Sequence, residues 1–256
     1  MEDARLPLTE HLSELRTRIF ISLGSILILF LVSFNYSKEL FNILTFPLRA
    51  EMKFSVTNPY MHITEKPPTS LVFLAPAEAL WMHLKVAFIV ALIFSLPVIF
   101  HQFWKFISPG LLPKEKKYFL PFMVSATLLF SVGALFCFFV ILPFAMTFLL
   151  GYRTETLMPM LSVGSYIDFC LKFILAFGAI FELPLVIIFL TRFGIVTPAT
   201  LARHRKYALL LSFITAAVLT PTPDAFNQIL MAIPIFLLYE IGILVSRIMY
   251  RKNDHG

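Results

Sequence analysis

Apolar stretches long enough to cross a bilayer recur along this chain, and each of them denies water to its own backbone. In hydrocarbon such a stretch folds as a helix whose hydrogen bonds close within itself. The chain has 256 residues, 59% hydrophobic and 14% charged, where a soluble domain carries about 25% charge. With 29 Phe in long apolar runs, it reads as a polytopic helical membrane protein. The net charge of +6 lies in short basic clusters between the runs, which is not the footprint of a nucleic-acid binder. Cys137 and Cys170 sit in or beside spans, so a disulfide framework is not expected. The charged N-terminus and the lack of a small-residue cleavage site after the first run argue against a cleavable signal peptide.

Six spans follow from the runs. Leu8 to Arg18 reads as a short amphipathic surface helix, with Thr9 as N-cap and Leu12, Leu15 and Ile19 at helical spacing. Span one is expected over Ile19–Asn35, span two from Pro76 to Phe103, span three from Tyr118 to Leu150 with an interruption at Pro143, and span four over Tyr166–Leu190. Spans five and six are expected over Tyr207–Leu219 and Phe226–Val245. Span five covers only ~20 Å at ~1.5 Å per residue, against a core of ~30 Å. Lys and Arg number 14 on the side of the termini and five on the other, so both termini are expected in the cytoplasm.

The expected architecture is therefore an all-α polytopic membrane protein of six transmembrane helices kinked at prolines, with an extracytoplasmic cap; the concave groove between them is what the family resemblance set out below implies. It is one membrane domain, 1–256. Residues 1–18 form the cytoplasmic amphipathic segment, 36–76 the proline-rich outer cap and 104–117 the first cytoplasmic loop. Residues 151–165 form the second outer loop, 191–206 the second cytoplasmic loop and 247–256 the tail.

Glu182 stands out because it lies near the middle of span four, in Ala176-Phe177-Gly178-Ala179-Ile180-Phe181-Glu182-Leu183-Pro184. An acid at mid-bilayer costs roughly 3 kcal/mol even on lenient insertion scales. Gly178 and Val186 are its neighbours one turn away, so a partner must come from another helix or from water. Pro184 bends or frays the backbone beside it. Either Glu182 is a functional site, or it hydrogen-bonds a neighbouring Ser or Thr and fixes helix packing. Gln228 and Asp224, at the start of span six, either satisfy backbone at a short span or face a polar groove.

Leu84-Lys85 followed by Ile93-Phe94-Ser95-Leu96-Pro97 parallels Leu171-Lys172 followed by Ile180-Phe181-Glu182-Leu183-Pro184, with twelve residues from Lys to Pro in both. Spans two and three then read as a weak parallel copy of spans four and five, as occurs in transporters; chance similarity of apolar helices is the alternative. No Gly-rich phosphate loop, His-Glu-x-x-His or nucleophile elbow is present, and no histidines pair at metal-ligand spacing. Neither enzymatic activity nor a cofactor or metal is expected. Glu14 lies beside Arg16 and Arg18, and Glu115 among Lys114, Lys116 and Lys117. By spacing alone these are ordinary surface pairs worth little.

The ordered motifs add more. His11-Leu12-Ser13-Glu14-Leu15-Arg16-Thr17-Arg18 resembles the N-terminal signature of the TatC family, the core of the twin-arginine protein translocase. So do Ser95-Leu96-Pro97 through Ser108-Pro109, Lys114-Glu115-Lys116-Lys117, and Phe181-Glu182-Leu183-Pro184. Thr220-Pro221 with Pro223-Asp224, Gln228 and Ala232-Ile233-Pro234 continues the likeness. Leu112, Gly110 and His101 depart from the family's usual Tyr, Ala and Tyr.

The resemblance implies a receptor, in the bacterial-type cytoplasmic (inner) membrane, for the twin-arginine signal peptides of folded cargo. Glu14 and Glu115 would contact the arginine pair, with Arg16 and Phe106 shaping the site. Pro47 would be a sensitive cap position, and Glu182 would lie in the intramembrane groove. TatA- and TatB-type single-span proteins would be partners in a homo-oligomeric receptor complex, and the proton-motive force would drive transport. A proton-coupled small-solute secondary transporter is the alternative drawn from Glu182, the kinks and the repeat, and a membrane assembly scaffold is a third.

Overall fold

The computed structural model describes residues 8–54, 61–65, 71–107, 119–151, 160–220 and 224–253. Five helical segments within it are long and apolar enough to cross a membrane: Leu12–Asn35, Glu78–Ile107, Leu120–Gly151, Val163–Arg192 and Ala225–Met249. These match five of the six expected spans. The sixth, short one is a helix over Arg205–Leu219, 15 residues, or ~22 Å at ~1.5 Å per residue.

Helix α1 runs unbroken over Leu8–Asn35. The expected boundary between a surface helix and span one at residue 18 does not exist. The sequence changes polarity there but offers no breaker, and a nucleated helix propagates at little cost. Helices α2 (Ser37–Leu44) and α3 (Phe46–Arg49) follow. Strands β1 (Ala50–Phe54) and β2 (Met61–Glu65) then pair as an antiparallel hairpin. The outer connection is therefore not all helical. Strand β3 (Leu71–Val72) pairs in parallel with β4 (Leu161–Ser162). Helix α4 is Glu78–Ile107 and α5 is Phe119–Phe136.

Helix α5 passes into a π-turn, Cys137–Ile141, and then α6, Leu142–Gly151. Within that turn the Leu142 N–H bonds Cys137 O. Pro143 has no N–H to give the ladder, and the register slips one residue just ahead of it. Helix α7 is Val163–Phe181 and α8 is Leu183–Arg192. They are followed by α9 (Pro198–Arg203), α10 (Arg205–Leu219) and α11 (Ala225–Asn253). Prolines act unequally. Pro97 and Pro234 lie inside continuous helices, whereas span four is broken two residues before Pro184.

The chain forms two compact units. The first comprises Met1–Phe41 and Leu80–Leu128. Within it Trp104 of α4 packs on Phe122 of α5 at 4.8 Å between ring centroids, and Phe41 meets His83 at 6.5 Å. Leu23, Leu27, Leu31, Phe94 and Phe103 remain exposed, as expected of surfaces that meet lipid rather than water.

The second unit comprises Asn42–Ala79 and Leu129–Gly256. Its core holds Ile141, Leu142, Tyr166, Ile167, Phe173, Phe177, Met231 and Ile243, all essentially fully buried. Two helix contacts are set by glycine. A Cβ on Gly133 would lie 2.6 Å from Phe177 O and 2.8 Å from Phe181 Cβ, and one on Gly178 would lie 2.5 Å from the Phe130 ring. These bring α5 and α7 together. On α11, a Cβ on Gly242 would lie 2.7 Å from Ile187 Cδ1. Lipid supplies no hydrophobic drive between helices, so close backbone approach and polar contacts must hold them. Ser246 accordingly donates to Thr191 Oγ1 at 3.0 Å, Arg205 pairs with Glu240 at 2.7 Å, and Tyr239 donates to Leu201 O at 2.8 Å.

One end of this unit is tied by Glu78. One carboxylate oxygen accepts from Ser162 Oγ and from Gly164 N at 2.6 Å; the other accepts from Leu74 N at 2.6 Å and Ala75 N at 3.3 Å. Ser162 itself caps α7, accepting from Ser165 N. The Tyr166 hydroxyl donates to Leu44 O at 2.5 Å, which docks the end of α2 onto α7.

The glycine contacts predict a graded series. Gly133→Ala meets backbone that cannot move aside and should destabilise the detergent-solubilised protein by about 1–3 kcal/mol. Gly178→Ala meets a ring that can shift, and should cost less. Gly24→Ala meets nothing within 4 Å and should be neutral or stabilising by up to ~1 kcal/mol from helix propensity. Thermal unfolding midpoints measured side by side should fall in that order.

Candidate functional site: a carboxylate–guanidinium–amide chain and an intramembrane acid

Glu14 lies in the first turns of α1, four residues before Arg18, a spacing that places both on one face. The Arg18 guanidinium donates from Nη2 to Glu14 Oε1 at 2.8 Å and from Nη1 to Gln102 Oε1 at 3.2 Å. Gln102 belongs to α4 and is buried, while the Glu14 and Arg18 side chains are each 24% exposed. The arginine Nε is enclosed and has no hydrogen-bond partner among the described residues. The expected ordinary surface pairing of Glu14 is therefore only half right. The pair exists, but its arginine is also held by a second helix, in a partly desolvated place.

Arg16 is two residues from Glu14 and so points elsewhere on α1. Its guanidinium lies 5.6 Å from the centre of the Phe20 ring, and its side chain is exposed. Phe106 is half-buried and sits one turn beyond Gln102, on the same stripe of α4. The first unit thus brings Glu14, Arg18 and Gln102 together, and puts Phe106 along the same helix face. Glu115 lies outside the described residues, as does the whole cluster from Lys114 to Lys117.

In the second unit Glu182 is the residue at which span four breaks. It ends α7 and starts α8, with φ −72° and ψ −15°. Its N–H bonds Ala179 O at 3.2 Å and its carbonyl accepts from Val186 N at 2.9 Å. The backbone on either side of the break is therefore satisfied locally. Its side chain is half-buried, and Oε1 is enclosed without a hydrogen-bond partner among the described residues. One turn earlier Gly178 lies under the Phe130 ring, so the acid follows a tight contact between α5 and α7.

The other expected residues take local roles. Asp224 caps α11, with Oδ1 accepting from Asn227 N at 2.7 Å and Oδ2 from Asn227 Nδ2 at 2.9 Å. Gln228 donates from Nε2 to Phe213 O of α10 at 3.1 Å. The Gln228 contact thus satisfies a backbone carbonyl of the short helix over Arg205–Leu219. Pro47 is fully buried at the start of α3, where its missing N–H is no loss. Neighbouring Phe46 packs on Phe138 and Phe139 at 5.9 and 5.8 Å.

Gln102 and Glu78 were not singled out from the sequence. Each meets its partner across more than eighty residues, a separation that local spacing does not reveal. Among the described residues, no cluster of three or more His, Cys, Asp or Glu could hold a metal ion.

A family model described as Sec-independent protein translocase protein (TatC) matches residues 10–234. The Sec-independent protein translocase protein TatC of Aquifex aeolicus is 41% identical over 250 residues, covering 97% of this chain and 98% of that protein. That of Desulforapulum autotrophicum is 39% identical over 253 residues, covering 99% and 88%. A crystal structure of the twin arginine translocase receptor TatC superimposes with TM-score 0.75 at 39% identity, over 93% of this chain and 98% of that one. A second, in DDM, gives 0.77 at 40%, over 92% and 99%. With its apolar helices and these matches along nearly its whole length, the chain belongs to the TatC family of Sec-independent protein translocase proteins, multi-pass membrane proteins whose role is transport and not enzymatic catalysis.

Proposed function

We propose that this chain is the signal-peptide receptor and translocase core of a twin-arginine export system, set as a single six-span domain in the cytoplasmic membrane with both termini inside. Glu14 and Glu115 receive the paired arginines of a folded cargo's signal peptide, and Arg16 and Phe106 border that site. The apolar part of the peptide then enters the bilayer beside the receptor. Glu182 offers a polar point within the hydrocarbon. Single-span partners of the TatA and TatB kind assemble around several copies of this chain, and the proton-motive force drives transport.

The observation that carries this reading is Glu14. Its half-buried carboxylate is already bonded to a guanidinium, so the site has the chemistry that arginine recognition requires. A guanidinium can grip a carboxylate with two parallel hydrogen bonds, and a lysine ammonium cannot. The basic surroundings of Glu14 and Glu115 repel peptides that carry positive charge without reaching the acids. The names of the relatives, protein translocase and twin arginine translocase receptor, favour this over a small-solute transporter.

The test is capture of a twin-arginine signal peptide by the full-length protein. Glu115→Lys should abolish capture, weakening it at least tenfold, or ~1.4 kcal/mol, while the protein still inserts and keeps its thermal midpoint. A peptide with acids in place of the arginine pair should regain part of the lost binding in that variant. Undiminished capture by Glu115→Lys would overturn the assignment.

Photocrosslinks placed at positions 14 and 115 should reach the arginine pair and vanish when it is replaced by lysines. Crosslinks that persist with the lysine peptide would mean that recognition does not depend on the guanidinium.

A further inference from the structure

We propose that Arg18 is an internal stand-in for the peptide's arginine, and that Gln102 holds it there as the element setting the affinity threshold of the receptor. This rests on the receptor reading of Glu14 given above. The geometry behind it lies within the first unit. One terminal nitrogen of the Arg18 fork occupies Glu14 Oε1 at 2.8 Å, and the other is fixed by Gln102 Oε1 at 3.2 Å. An exposed Glu–Arg pair one turn apart on a helix is a weak, fluctuating contact. This one is not free to fluctuate, because a buried amide from α4 anchors the far side of the fork. Ser22 Oγ also donates to the Arg18 carbonyl at 3.0 Å.

A peptide guanidinium that takes Glu14 with two hydrogen bonds competes with Arg18 Nη2 for Oε1, and two like-charged forks do not share one carboxylate without repulsion. Because one planar fork spans both acceptors, an Arg18 that leaves Glu14 also gives up its bond to Gln102. Exchange of one guanidinium for another keeps the carboxylate paired in both states, while the displaced Arg18 gives up its counter-charge and its amide partner, which together are the cost of displacement. The displacement cost is the same for every ligand. It therefore does not alter the ratio of affinities for arginine and lysine peptides. It lowers both, so that a lysine pair, lacking the bidentate contact, falls below useful binding while an arginine pair stays above it.

Two variants that keep the net charge test this. Gln102→Leu removes the anchor, and Arg18→Lys removes the fork that spans Glu14 and Gln102. Binding of a synthetic twin-arginine signal peptide and its double-lysine counterpart would be titrated by fluorescence anisotropy on the full-length protein in detergent. Both peptides should bind Gln102→Leu about fivefold more tightly than the unaltered chain, equivalent to ~1 kcal/mol. Arg18→Lys should move both in the same direction by a smaller factor. Either variant suffices if the other does not accumulate as folded protein.

Unchanged or weaker binding in the folded variants, with Glu14→Gln still abolishing capture, overturns the stand-in and leaves the receptor reading intact. Full binding by Glu14→Gln takes down the receptor reading, and the stand-in with it. A gain for the arginine peptide alone also overturns the proposal, because a common displacement cost cannot discriminate.

Discussion

The hydrocarbon interior gives a backbone nothing to bond with except itself, and the protein is shaped by where that self-sufficiency is interrupted. At Pro143 the interruption is absorbed by a π-turn, Cys137–Ile141, whose longer loop shifts the register before the missing donor is reached. At Pro184 it is absorbed by ending one helix and starting another, with Glu182 serving both. Local bonds to Ala179 and from Val186 close the gap. Pro97 and Pro234 are carried within continuous helices. The break at Glu182 is therefore not an automatic result of a proline in a span. It coincides with an acid whose enclosed oxygen lacks a partner among the described residues, which is the costly feature of this segment.

The two units are held in different ways. The second relies on glycines that let α5 meet α7 and α8 meet α11 at backbone distance, reinforced by small hydroxyl and amide contacts such as Ser246 to Thr191 and Gln228 to Phe213. One end of it is closed by the four hydrogen bonds accepted by Glu78. The first unit keeps much of α1 exposed. There the bond from Arg18 to Gln102 is a specific polar link between α1 and α4. A helix positioned by a charged side chain near its end responds to whatever competes for that charge. A helix positioned by interlocked backbones does not. The proposed recognition chemistry and the compliant contact thus occupy the same few residues.

Several features were legible in the sequence because they are local. The long spans announce themselves by length and apolarity, and apart from the start of the first their observed limits lie within a few residues of those read from the chain. The shortness of α10 follows from the Thr220-Pro221 stop. The helix break beside Glu182 was foreseeable from Pro184. The join of α1 was not, because a change from polar to apolar was mistaken for an end when no breaker was present. The hairpin of β1 and β2 was missed in a connection whose prolines hid its alternation. Asp224 was visible as a polar residue at a helix start, but its choice of the Asn227 amide was not.

What the sequence determined by itself is the number and place of the long apolar helices, the acid inside one of them, and the motifs that mark the family. All are read from consecutive residues, and the physics that enforces them, backbone bonds closing within a few residues in the absence of water, is equally local. What the tertiary structure decided is which polar groups meet: Arg18 with Gln102, Glu78 with Ser162 and Gly164, Thr191 with Ser246. Those pairings join residues separated by dozens of positions. Their identity depends on how helices cross, and that is set by glycine contacts and side-chain shape summed over a whole interface rather than by any stretch of the chain.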